Sequence, residues 1–133
     1  MRLPPSDVLR ETLPPEDLLL VVRGGEHSLS DTVLERTTSD CWSRYRFFGI
    51  SVFGAPGDDL LALSLSEPAI RRRPVLRLAR CGDLRAGGFE VCATFANPAH
   101  YSVVLGVATP ERFADLRACF SEPQPNPGYA PDR

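Results

Sequence analysis

The run Leu18-Leu19-Leu20-Val21-Val22 is apolar at every position and stops at Arg23-Gly24-Gly25. A strand buried on both faces has this continuous pattern, so the run predicts a central strand with a flexible exit. Beyond Ser28 the spacing changes, and Leu29, Val33, Leu34, Thr37, Cys41 and Tyr45 recur about every four positions. That is the period of a helix with one buried face, and Ser28 followed by Asp31 gives it a weak capping box. Phe48 to Phe53 then alternates, with Phe48, Ile50 and Val52 on one side and Gly49 and Ser51 on the other. This predicts a strand, a turn at Ala55-Pro56-Gly57-Asp58, and a short capped helix over Asp59 to Ser66.

Pro68 and Pro74 bracket the basic run Arg71-Arg72-Arg73, after which Val75 to Arg80 alternates as a strand. Asp83 to Ala86 allows at most one helical turn before Gly87-Gly88 stops it. Phe89 to Phe95 and Tyr101 to Val107 are both strand-like, and Ala96-Asn97-Pro98-Ala99 between them has the length of a hairpin loop, so two adjacent antiparallel strands are expected. Thr109-Pro110-Glu111 opens a last helix with an apolar face of Phe113, Leu116 and Phe120. The whole reads as one α+β domain, with a mixed or largely antiparallel sheet of about five strands flanked by about three helices. Its body runs over residues 18–120, between proline-rich segments 1–17 and 121–133.

Composition narrows this picture. A chain of 133 residues has room for one hydrophobic core, and 43% apolar with 24% charged residues are ordinary globular values. No apolar run approaches the roughly 20 residues that span a bilayer. The start of the chain has prolines and acids where a secretory signal has a basic, then apolar, stretch, so the expectation is a cytoplasmic protein without a membrane partner. All 15 basic residues are Arg, the mark of a high-GC bacterial genome. Residues 1–66 hold 6 Arg against 10 acids and residues 67–133 hold 9 against 7, net −4 and +2, which favours an anionic partner for the second half. Cys41, Cys81, Cys92 and Cys119 are too widely spaced for a paired-thiolate metal site, so no metal is expected.

Three groups of residues could carry chemistry. Val22-Arg23-Gly24 after an apolar strand resembles the arginine motif of ADP-ribosyltransferases, in which a guanidinium holds the dinucleotide phosphate. That resemblance implies NAD as cofactor, with Arg23 and Gly24 on its phosphate, Ser51 orienting Arg23 or the ribose, and Glu90 as the catalytic carboxylate. Gly88 stands where that family carries another Glu or Gln, and its Ser-Thr-Ser pattern is absent. His100-Tyr101-Ser102 resembles one copy of the His-x-Ser/Thr strand motif of two-histidine phosphoesterases; at His27 the second copy fails, because Leu29 stands in the hydroxyl position. Finally Arg71, Arg72, Arg73, Arg77, Arg80 and Arg85 place 6 of the 15 Arg within 15 positions, a surface for a partner protein or RNA.

Val21-Val22-Arg23-Gly24-Gly25, Phe48-Gly49-Ile50-Ser51-Val52-Phe53, Asp83-Leu84-Arg85-Ala86-Gly87-Gly88-Phe89, Thr94-Phe95 with Pro98-Ala99-His100-Tyr101, and Pro125-Asn126-Pro127 together resemble an uncharacterised family of short actinobacterial proteins. The family is associated with toxin–antitoxin-like or mobile-element settings. The resemblance implies a bacterial accessory protein that binds a small cognate protein, and it transfers no catalytic residue. Two functions are therefore carried forward: a partner-binding component using the Arg71 to Arg85 surface or the proline-rich tail, and a toxin-like enzyme acting on NAD or a nucleotide with Arg23, Ser51, Glu90 and His100 around one cleft.

Overall fold

The computed structural model describes residues 1–10, 14–23 and 27–131, apart from the side chain of Arg23. In chain order the elements are β1 (Leu19–Arg23), α1 (Asp31–Tyr45), β2 (Gly49–Ala55), α2 (Leu60–Ser66), α3 (Pro68–Arg71), β3 (Val75–Arg80), α4 (Cys81–Ala86), β4 (Glu90–Ala93), β5 (His100–Val104), α5 (Pro110–Cys119) and β6 (Gln124–Pro125). They form an α+β fold with one antiparallel sheet of six strands in the order β4-β5-β2-β1-β3-β6. The apolar run is a central strand, as its pattern predicts, and β4 and β5 are the expected antiparallel neighbours.

The departures from the sequence expectation are short elements. Helix α3 is a single turn that Pro68 opens and Glu67 caps, too brief for any apolar period to reveal. Strand β6 is two residues long, and its Pro125 is tolerated because it pairs through one side only, opposite Val75. Helix α1 starts later than Ser28, because residues 27–30 close a turn and the Ser30 hydroxyl accepts the Val33 N–H instead.

Period-two alternation sorts the strand residues onto two different faces. The first face is dry: Leu18, Leu20, Val22, Ile50, Val52, Ala79, Val91 and Val103 are buried beneath Leu34 of α1, Leu84 of α4 and Phe113, Leu116 and Phe120 around α5. The second face carries two smaller apolar clusters. One joins Leu19, Val21, Phe53, Ala55 and Leu76 to Leu63 of α2 and Ile70 of α3. The other joins Cys92 and Val104 to Phe47, with Cys41 and Tyr45 of α1 packed against it. Between the two clusters lies a polar gap.

The tail is held down at one residue. Asn126 is only 6% exposed, and all its hydrogen-bonding capacity is met. Its Oδ1 accepts from the Ser64 hydroxyl and the Gly128 N–H, and its Nδ2 donates to the carbonyls of Ile70 and Arg73, each at 3.0 Å. Gly128 allows this approach, since a Cβ there would stand 2.3 Å from the Ser64 Cβ. Removing the amide strands a buried hydroxyl and two carbonyls, so Asn126→Ala is expected to cost about 1–3 kcal/mol of unfolding free energy. Urea denaturation reads this as a lower midpoint at unchanged slope; a midpoint equal to that of the unsubstituted protein would show that the tail adds nothing.

Candidate functional site

The polar gap is built by register. Ser51 of β2 stands opposite Ser102 of β5, Phe53 opposite His100, and Cys92 of β4 opposite Ser102, so Ser51, His100, Ser102 and the following Thr94 share the second face. Their side chains form a chain of short contacts. The His100 Nε2 is 3.0 Å from the Ser51 Oγ, its Nδ1 is 2.9 Å from the Thr94 Oγ1, and that oxygen is 2.8 Å from the Ser102 Oγ. Thr94 and Ser102 are buried at 0% and 3%, whereas Ser51 is exposed. The buried pair thus anchors one nitrogen of the ring, and the other faces a reachable hydroxyl.

Aromatic rings fix the imidazole from the sides. Phe95 meets it edge-on at 5.0 Å between centroids and Phe53 at 5.6 Å, and Tyr45 in turn meets Phe95 at 5.1 Å. Phe95 sits at φ 63°, a left-handed conformation that costs a bulky side chain on the order of 1–3 kcal/mol. Its N–H donates to the Val8 carbonyl at 2.8 Å, so the N-terminal segment helps hold the strained residue in place. The ring that braces His100 is therefore kept there at a local energetic cost.

Ser51 and Ser102 open into a cavity of about 200 Å³ between the sheet and the C-terminal half of α1. Thr37, Asp40, Cys41, Arg44, Tyr45 and Phe95 complete most of its wall. Asp40 and Arg44 supply one charge of each sign. Cys41 is the second potential nucleophile, but burial raises its thiol pKa more than a hydrogen bond from the Gly49 backbone lowers it. It is a protonated thiol at neutral pH and a poor attacking group.

The remaining candidates lie elsewhere. Glu90 pairs with Val104, four residues on from His100, which sets it ~13 Å away along the strand. Its carboxylate accepts from the Arg85 Nε at 2.9 Å and from the Val91 N–H, a structural ion pair rather than part of the cleft. Arg23 closes β1 with its backbone opposite Leu76; its side chain and Gly24 lie outside the described residues. The basic segment is divided among several tasks. Arg77 donates to the Ser121 carbonyl, Arg80 holds Asp58 and the Asp17 carbonyl, and Arg85 also reaches the carbonyls of Pro14 and Val91. Arg72 and Arg73 remain exposed at the end of α3. The sequence gives Thr94 no site role; its one signal for this place is a hydroxyl on the parity of Ser102 in the adjacent strand.

Among the described residues no three His, Cys, Asp or Glu side chains gather as a metal would require, and no helix is long and apolar enough to cross a membrane. Comparison of the chain with protein-family models, curated proteins and solved structures gives no match.

Burial raises the pKa of all four cysteines, that of Cys92 to about 11. Each stays protonated below its raised pKa, so alkylation by iodoacetamide at pH 8 is expected to be slow in the folded protein and fast in urea. Rapid modification of Cys41 in the folded state would overturn its assignment as an unreactive wall residue.

Proposed function

We propose that the protein is an acyl-transfer enzyme with Ser51 as nucleophile and His100 as its general base. The single observation that carries this is the exposed Ser51 hydroxyl, 3.0 Å from the Nε2 of a ring whose Nδ1 is held by a buried hydroxyl. With the proton on Nδ1 and donated to Thr94, Nε2 turns its lone pair to the Ser51 hydroxyl. The Ser51 oxygen attacks an ester carbonyl carbon while its proton passes to Nε2. Collapse of the adduct expels the alcohol, which takes that proton back. Water then attacks the acyl-serine, again giving its proton to Nε2; collapse breaks the acyl–Oγ bond, the Ser51 oxygen takes the proton back from Nε2, and the carboxylic acid departs.

The site also bounds the substrate. A dry cavity of ~150 Å³ admits a benzene-sized molecule, so about 200 Å³ suits a short acyl group rather than a lipid chain. Asp40 opposes Arg44 at the wall, which favours a neutral ester over a phosphate dianion. Arg44 is the guanidinium that can face a developing oxyanion. The reading in which the enzyme acts on NAD or a nucleotide asks for a carboxylate beside the reacting sugar, and Glu90 is bound to Arg85 outside the cleft. Thr94 orients the ring without offering a charge, so turnover is expected to fall below that of a triad with a carboxylate.

A fluorophosphonate probe tests the assignment. Labelling should occur at Ser51, disappear in Ser51→Ala, slow by ~10²-fold or more in His100→Ala, and persist in Cys41→Ala, with circular dichroism unchanged in each. Unlabelled protein, or Ser51→Ala labelled as well as the unsubstituted chain, would sink the proposal.

A further inference from the structure

Helix α2 buries Leu63 in the core yet leaves two of its leucines outside. Ser64 is fully buried while Leu65 beside it is 70% exposed and Leu61, one turn earlier, is 51% exposed. Two leucines thus keep apolar area in water that burial would have removed. The inward position next to Leu63 is taken by Ser64, whose hydroxyl is committed to the buried Asn126, and the backbone at Gly128 closes against Ser64 and Leu61. Leu61 and Leu65, four residues apart, form one outward stripe, and the tail sets Tyr129, 45% exposed, close beyond Gly128.

The charge beside the stripe is equally uncovered. Arg71 donates from its guanidinium to the Leu65 carbonyl at 3.4 Å and its own carbonyl accepts from the Ala130 N–H, which joins the end of α2, α3 and the tail into one surface. Arg72 and Arg73 follow, exposed and without an ion pair among the described residues. The nearest acid in sequence, Glu67, is spent on the Asn97 amide and the Ala69 N–H.

We infer that the α2–α3–tail surface docks an amphipathic, acidic segment of a partner protein, whose apolar residues cover Leu61, Leu65 and Tyr129 and whose carboxylates meet Arg72 and Arg73. RNA would answer the arginines but leave the leucines in water, so the stripe decides for protein. This surface is separate from the Ser51 cleft and stands whether or not that cleft is catalytic.

Two fluorescent synthetic helical peptides test it on the full chain by anisotropy, one with a leucine stripe and Glu elsewhere, the other with the same stripe and Lys elsewhere, with oligo(U) as the RNA probe. The Glu peptide should bind saturably and more weakly as salt rises, and the Lys peptide should not. Leu61→Ser with Leu65→Ser, and separately Arg72→Glu with Arg73→Glu, should each weaken it by at least about tenfold. Circular dichroism should show each variant folded at the assay temperature, because Leu65, Arg72 and Arg73 are exposed and Leu61 is half-exposed. Equal binding of both peptides, no binding of the Glu peptide, affinity unchanged by the substitutions, or preference for oligo(U) overturns the inference. So does self-association abolished by Leu65→Ser, which would make the occupant a second copy of this chain.

Discussion

Strand register is the constraint on which the rest of this molecule depends. Side chains alternate along a strand and paired residues share a face, so a slip of β5 against β2 by one residue would send Ser102 and His100 into the dry face and turn Tyr101 and Val103 toward Ser51. The apolar cost of that exchange is what holds the hydroxyls and the imidazole in contact. The core on the first face thus specifies the polar row on the second.

The same logic explains how a sheet can afford polar residues at its centre. A buried hydroxyl without a partner costs on the order of 1–3 kcal/mol, and Thr94, Ser102 and His100 each supply the partner the others need. Such a network is satisfied as a unit, which makes the imidazole rigid as well as positioned. Phe95 adds to that rigidity from a conformation it would not adopt in isolation.

Much of the fold was legible because long elements carry their own period. The five-residue apolar run, the four-residue spacing of α1 and the alternation of β2 each had enough positions to state a direction of burial. α3 and β6 had too few, and they are held by capping and by one partner strand. Ser51 and His100 were both visible as candidates through unrelated motifs, and the enzyme reading set them around one cleft with Glu90; the contact of the first two follows from the β2–β5 register, which leaves Glu90 out. Thr94 reads as an ordinary β-branched strand residue. Glu90 drew attention as a catalytic carboxylate and Arg85 as part of a partner-binding surface, and the two turn out to neutralise each other, a pairing across the short turn between α4 and β4 that composition cannot distinguish from a site.

Both borders of the sheet are finished by chain from outside the expected body. Along β4, Leu9 bridges Thr94 and the Arg10 N–H donates to the Ala93 carbonyl; along β3, the two residues of β6 occupy the other border and end in proline-rich chain. An open strand border offers unpaired amides to any neighbouring chain, and aggregation begins there. The proline-rich segments therefore act as hems on the sheet, and trimming either would leave a selvedge of backbone donors and acceptors ready to be stitched to the next molecule.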